Sequence, residues 1–241
     1  MQLVTPAAVD AYCREDIVLN WLDRHSTDDD EALTCQRWLR QTPAKRMVFQ
    51  ALYGDMLDDA SHKRRILDVG GGLTALTIAL ARQHDYTLVD LMAHDTPHSA
   101  QRASAIAGRN FIHPCDWYEW QGKQGFDIVI ANDLFPNVDQ RLELFLGRML
   151  PMCREIRMSL TYYNRPRFYM TRRIDAEEFL CMLAWNGEMT RNALMKYASR
   201  MSQPDFGILL SNEDSAYSNG RQVCLVRMEG DLVRDASSRI P

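Results

Sequence analysis

The stretch Arg65-Ile66-Leu67-Asp68-Val69-Gly70-Gly71-Gly72-Leu73-Thr74, continued by Ala75-Leu76-Thr77-Ile78-Ala79-Leu80-Ala81, decides the fold. Its first five residues read as a short buried strand, the three glycines as a turn, and the rest as an amphipathic helix. A second strand-like run, Tyr86-Thr87-Leu88-Val89-Asp90, ends in an acid 22 positions after Asp68. Strand, glycine turn, helix and a strand with a terminal acid is the layout of a nucleotide-binding α/β unit.

Downstream the alternation continues. Ser99–Ala107 reads as a helix and Asn110–Pro114 as a third strand. Phe126-Asp127-Ile128-Val129-Ile130-Ala131 is nearly continuous in apolar residues, as a central parallel strand should be. A helix over Val138–Met149 and a fifth strand over Glu155–Tyr163 follow. Asn164–Arg173 reads as a polar aromatic loop, and Asp175–Trp185 and Met189–Met201 as helices, a helical insertion over about 164–204. Phe206–Leu210 and Gln222–Met228 read as two terminal strands, with Ser218-Asn219-Gly220 as a turn between them. The expected architecture is a doubly wound, mostly parallel seven-stranded sheet with an antiparallel C-terminal strand.

Upstream of the turn, residues 1–60 read as a helical extension. Ile17, Val18, Trp21 and Leu22 fall at helical spacing, and Ser26–Asp30 offers a polar break. Leu33, Trp38 and Leu39 make a second stripe. Pro43 can open a third helix, with Met47, Val48, Ala51, Leu52 and Met56 on its apolar side. Two roles stay open for these helices: covering the sheet only, or also forming a lid over a substrate. Residues 61–241 form the expected main domain.

Composition bounds the function. A net charge of −4 argues against a non-specific nucleic-acid binder, which usually presents a basic face. No apolar run approaches a membrane span, and no signal-peptide core opens the chain. Cysteines 13, 35, 115, 153, 181 and 224 are scattered with no CxxC pair, so free thiols in a reducing cytoplasm are expected rather than a zinc site or a disulfide framework.

The glycine turn is neither G-x-G-x-x-G nor a Walker A loop. Asp68 stands two residues before Gly70, at the strand's end. A carboxylate there repels the phosphate that helix N-termini otherwise welcome, and suits a cationic or amino group. S-adenosylmethionine, with an ammonium, a sulfonium and no phosphate, fits that requirement.

Over roughly residues 64–163 the chain resembles class I S-adenosylmethionine-dependent methyltransferases of the Rossmann-like fold. The resemblance rests on Asp68, Gly70 and Gly72 in the first turn, with Gly71 between them and Thr74 where a further glycine is common. It implies that Asp90, followed by Leu91, holds the ribose hydroxyls. Asp116 would read the adenine amino group, with Trp117 as a stacking neighbour, and Asn132 and Asp133 would line the methyl-transfer pocket. Val89-Asp90-Leu91, Asp116-Trp117 and Asp139-Gln140-Arg141 with a leucine-rich helix further resemble small-molecule O-methyltransferases of natural-product pathways. That subfamily's general base, a His-Asp pair, would stand where this chain has Phe135-Pro136, and its large N-terminal dimerisation domain has no counterpart here.

Methyl transfer needs acceptor, methyl and sulfur in line and a group to take the acceptor's proton. Ligands of such sheets sit outside the carboxyl ends of the strands. That address selects Asp133 as the candidate base and Tyr162 as a second catalytic candidate; Tyr162 and Tyr163 alternate faces, so one of them at most points inward. Arg165, Arg167, Arg172 and Arg173 suggest an acidic acceptor. His94 and His98 are four apart, but Pro97 argues against a helical metal pair, and no metal is expected. The leading expectation is O-methylation of a small molecule or saccharide. N-methylation, faintly signalled by Asn132-Asp133-Leu134-Phe135-Pro136, and a non-catalytic methyltransferase-like interaction protein are the alternatives.

Overall fold

The computed structural model describes residues 1–57, 62–122, 124–135, 141–173, 178–202, 204–211 and 213–233. Strands β1 (Gln2–Leu3), β2 (Arg65–Val69), β3 (Asp85–Asp90), β4 (Ile112–Pro114), β5 (Phe126–Phe135), β6 (Cys153–Tyr162) and, from the C-terminal end, β9 (Gln222–Glu229) form one seven-stranded sheet in the order β1-β9-β6-β5-β2-β3-β4. β2, β3, β4, β5 and β6 pair in parallel, and β9 runs antiparallel to both its neighbours. The mostly parallel sheet with one antiparallel C-terminal strand is therefore as expected.

Helices α1 (Pro6–Tyr12), α2 (Ile17–His25), α3 (Asp28–Glu31), α4 (Thr34–Gln41) and α5 (Pro43–Leu57) precede the turn. After it come α6 (Ala75–Gln83), α7 (Pro97–Ala107), α8 (Leu142–Met149) and α9 (Gly187–Met195). The sheet separates two apolar clusters. In β2, Ile66 joins the cluster under α5, α6 and α7, and Leu67 and Val69 join the one under α8. This alternation across a sheet covered on both faces is why the run reads as continuously apolar. Arg157 of β6 crosses to α5 and donates to the Leu52 carbonyl at 2.9 Å and to Asp55 at 3.0 Å, fixing the helix on the sheet. No helix among the described residues is long and apolar enough to cross a membrane.

The structure departs from the sequence reading in three places. Gln2–Leu3 is an edge strand, extended by Val4 N–H donating to the Val223 carbonyl at 2.9 Å, so the first segment is not helical throughout. Phe206–Leu210 is a 3-10 turn, not a strand: Asp205 accepts from the Gly207 N–H at 2.9 Å, and the slot beside β9 is already taken by β1. The stretch 164–204 is not a helical insertion throughout. Strands β7 (Arg167–Arg173) and β8 (Glu178–Ala184) pair as an antiparallel two-stranded sheet. Phe-Leu-Cys-Met-Leu-Ala satisfies helical and strand periods alike; here it alternates, with Met182 and Ala184 buried and Phe179, Cys181 and Leu183 exposed. Pro97 opens α7 as its first residue, which leaves His94 outside that helix, so His94 and His98 do not share a helix, as expected.

Candidate active site at the carboxyl edge of the sheet

The glycine turn joins β2 to α6. Gly70 and Gly72 have φ of +74° and +68°, values open to glycine and costly for residues with a Cβ. The Gly70 N–H donates to the Val89 carbonyl at 2.9 Å, and the Gly72 N–H donates to Asp90 Oδ2 at 3.2 Å. Asp90 Oδ1 accepts from the Met92 N–H at 2.7 Å, so the acid ending β3 is fixed against the turn. Thr74 caps α6: its Oγ1 accepts from the Thr77 N–H at 3.1 Å, and Thr77 Oγ1 accepts from the Thr74 N–H at 2.8 Å.

Asp68 lies beneath the turn and does not line the cavity above it. It is fully buried. Tyr53 of α5 donates to its Oδ2 at 3.0 Å, and Tyr86 donates to the same oxygen in a shorter bond. Its Oδ1 has no hydrogen-bond partner among the described residues. Burial pushes this carboxyl up to about 7, the two tyrosines pull it back, and the charge of Asp90 adds to the rise. The expectation that Asp68 meets a ligand cation directly therefore becomes a supporting role under the turn.

Above the turn opens a cavity that is continuous with solvent. One side is built by Gly70, Gly71, Gly72, Asp90, Leu91 and Asn132, together with Asp116 and Trp117 beyond β4. Asp116 pairs with Arg141 at 3.2 Å, and Arg141 lies 5.1 Å from the centre of the Trp117 ring. The buried Trp117 Nε1 has no hydrogen-bond partner among the described residues. The other side comes from α4 and α5 through Cys35, Trp38, Leu39, Lys45, Val48 and Phe49, and from the approach to β9 through Tyr217. His94 and Asp95, between β3 and α7, close the rim. Asp95 is raised to about 6 by burial and by the neighbouring charge of Asp90, while the Leu73 N–H and Arg37 act the other way.

Asp133 enters at the end of β5. The pairing of β5 with β6 shifts register between Ala131 and Phe135, and Asp133 adopts φ of +54° within that bulge. Its N–H donates to Ser159 Oγ at 2.8 Å, and Ser159 Oγ donates to Asn132 Oδ1 at 3.2 Å. Its carboxylate takes Lys45 Nζ at 2.8 Å and Arg221 Nη1 at 3.0 Å. Burial alone would raise it, but these two cations hold it at about 2. A carboxylate that acidic is a poor proton acceptor near neutral pH.

Tyr162, the second catalytic candidate, is buried in the cluster under α8 and does not line the cavity. Its hydroxyl has no partner among the described residues, and burial raises it well above the ordinary tyrosine value. Tyr163 is also outside the cavity, with Arg167 stacked 3.7 Å from its ring centre. Neither Arg165 nor Arg167 lines the cavity, and the described residues hold no cluster able to ligate a metal. Pro136 and Asp139-Gln140 lie outside the described residues. The cavity residues that sequence reasoning missed as site residues, Trp38, Lys45, His94, Asp95 and Tyr217, carry no local motif. The one available signal was that helices preceding the first strand can cover its carboxyl end.

No protein-family model matches the chain, and no curated protein matches it. Among solved structures it is similar to a Burkholderia thailandensis 1,6-didemethyltoxoflavin-N1-methyltransferase with bound 1,6-didemethyltoxoflavin and S-adenosylhomocysteine, at 18% identity over 95% of this chain and 92% of that one, with a TM-score of 0.49. It is also similar to a magnesium protoporphyrin IX methyltransferase from Synechocystis with bound S-adenosylmethionine, at 14% identity over 90% and 96% of the two chains and a TM-score of 0.49. An N-methyltransferase from Bradyrhizobium japonicum in complex with S-adenosylhomocysteine is 13% identical over 88% and 98%, with a TM-score of 0.47.

Proposed function

We propose that the chain is an S-adenosylmethionine-dependent methyltransferase acting on the hydroxyl of a small molecule. The observation that carries this reading is the row of groups over the carboxyl ends of four adjacent strands: Asp116, Asp90, the glycine turn and Asn132-Asp133, all on one cavity. Two carboxylates with positive-φ glycines between them suit hydroxyl, amino and cationic groups and repel phosphate. The unpartnered Trp117 Nε1 and the Cβ-free turn are consistent with a flat nucleoside lying on the turn.

In this reading Asp90 accepts from the ribose hydroxyls and Asp116 from the adenine amino group, with Leu91 and Trp117 beside the base. Gly70, Gly71 and Gly72 form the floor, supported by Asp68, and Asn132 borders the transfer end. Bound there, S-adenosylmethionine supplies an electrophilic methyl on its sulfonium. The chain's own residues orient the two molecules and exclude water, with α4 and α5 as the lid and the acceptor side. The acceptor proton is assigned to the imidazole of His94, at the rim 4.9 Å from the Trp38 ring, because Asp133 is too acidic to take it.

Calorimetry with S-adenosylhomocysteine, followed by transfer of a tritiated methyl to fractionated cell extract, tests the proposal. Absence of binding overturns it. Binding with no transfer to any fraction favours a non-catalytic interaction protein, and label recovered only on amines favours N-methylation.

A further inference from the structure

Asp116 follows β4, Asp90 ends β3, Gly70 follows β2 and Asp133 lies two residues before the end of β5, and these strands are neighbours in that order. At about 4.8 Å per strand spacing, the row spans roughly 14 Å. If the nucleoside end lies over Asp116 and Asp90, an extended ligand reaches past the glycine turn to the end of β5. The register puts it there, since Val69 pairs with Ala131, two residues before Asp133.

What waits there is an ion pair of opposite groups. Lys45 Nζ and Asp133 Oδ2 are 2.8 Å apart, and both residues line the cavity. Lys45 is the one lysine or arginine among the described lining residues. Asp133 is aimed by a costly conformation: a non-glycine residue at φ of +54°, held by the Ser159 hydroxyl. Asp133 also has a second cation, Arg221 at 3.0 Å. Lys45 can therefore turn to a ligand while the carboxylate keeps a partner, which avoids the cost of a buried unpaired charge. Cys35 ties this pair to the turn, because a Cβ on Gly72 would run into Cys35 Sγ, and Cys35 lies within the field of both Lys45 and Asp133.

We propose that Lys45 and Asp133 form a clamp for the α-amino-carboxylate of a ligand, Lys45 receiving the carboxylate and Asp133 the ammonium. This rests on the cofactor reading above and assigns the amino-acid end of that cofactor to two side chains from distant parts of the chain.

The test uses the full chain and two probes, S-adenosylhomocysteine and 5′-methylthioadenosine, which share the nucleoside and thioether and differ in the amino-acid tail. By calorimetry the wild type should bind S-adenosylhomocysteine far more tightly. Lys45→Met should weaken S-adenosylhomocysteine by about 10- to 100-fold, the scale of a charged hydrogen bond, and leave methylthioadenosine within about twofold. Lys45→Arg should recover most of the loss. Asp133→Asn should show the same selectivity, with a thermal melt checking that it is folded. Equal losses for both probes, no loss for either, or a wild type that does not prefer the amino-acid-bearing probe would overturn the clamp. A wild type that binds neither probe would instead overturn the cofactor reading.

Discussion

The carboxylate of Asp68 lies directly under Gly71, so that a Cβ on Gly71 would run into Asp68 Oδ2. Asp68 has no room to withdraw, because Tyr53 and Tyr86 hold the same oxygen from below. In Gly71→Ala the turn must therefore rise into the cavity. The expected cost is about 1–3 kcal/mol of stability, the usual range for overpacking, read from urea denaturation. Affinity for S-adenosylhomocysteine should fall by about tenfold or more, equivalent to about 1.4 kcal/mol. An affinity within about twofold of wild type would mean that the turn is not the floor of the ligand site.

The same acid should shape stability against pH. Its carboxyl sits at about 7 in the fold, chiefly through burial, against about 3.9 for an unfolded aspartate. Between those values the folded chain holds a proton that the unfolded chain releases. The stabilisation from this group is therefore complete below about pH 4 and is lost as pH rises through about 7. Asp133, held at about 2 by Lys45 and Arg221 against its burial, works in the opposite sense and loses its contribution as pH falls. Comparing wild type with Asp68→Asn isolates the first effect. The stability advantage of wild type over the variant should shrink between about pH 4 and pH 8 by on the order of 3 kcal/mol. A difference that stays constant across that window would show that Asp68 is ionised throughout.

The parts of this molecule that could be read from sequence are those fixed by local chemistry. Ile66–Val69 and Phe126–Ala131 are apolar on both faces because helices cover both sides of the sheet, and Gly70 and Gly72 declare a turn that needs positive φ. Asp90 and Asp116 stand out because they follow such strands. The hairpin of β7 and β8 was not legible, since a six-residue apolar run fits either period and only the pairing of Arg167–Arg173 with Glu178–Ala184 decides it. The acceptor side of the cavity was hidden for a different reason. Lys45 meets Asp133 across 88 residues of sequence, and Trp38 and Tyr217 arrive from opposite ends of the chain. Such meetings depend on how α4 and α5 dock, which no local pattern encodes. Asp133 looked like a base from its address alone, and its two cations became visible only with the fold.

The cap of α6 offers a test of how the helix behind the glycines is held. Thr74 and Thr77 satisfy each other's backbone N–H groups and are both buried. The next N–H, that of Ala75, donates to Gln36 Oε1 of α4 at 3.2 Å. Thr74→Ala should cost about 1–2 kcal/mol in urea denaturation, because it orphans the Thr77 N–H. Thr74→Ser keeps the oxygen and should recover most of that loss. If serine and alanine cost the same, the methyl group and not the cap is what the position needs.

Asp95 and Asp90 give the cavity a charge that depends on pH. Asp95 is raised to about 6, mainly by burial and then by the charge of Asp90, so its negative charge is lost as pH falls through that value. Both residues line the cavity. S-adenosylmethionine carries a sulfonium cation where S-adenosylhomocysteine has a neutral thioether, and the two are otherwise alike except for the methyl. Losing a carboxylate charge should weaken the cation and leave the thioether little changed. Between about pH 7.5 and pH 5, the affinity of wild type for S-adenosylmethionine should drop relative to S-adenosylhomocysteine by about two- to tenfold, and added salt should shrink the effect. In Asp95→Asn the change should be smaller across the same range, the remainder following Asp68, which sits at about 7 beneath the turn. A wild-type ratio that does not move with pH would mean that Asp95 is not felt at the sulfonium, and that its raised value reflects the rim of the cavity alone.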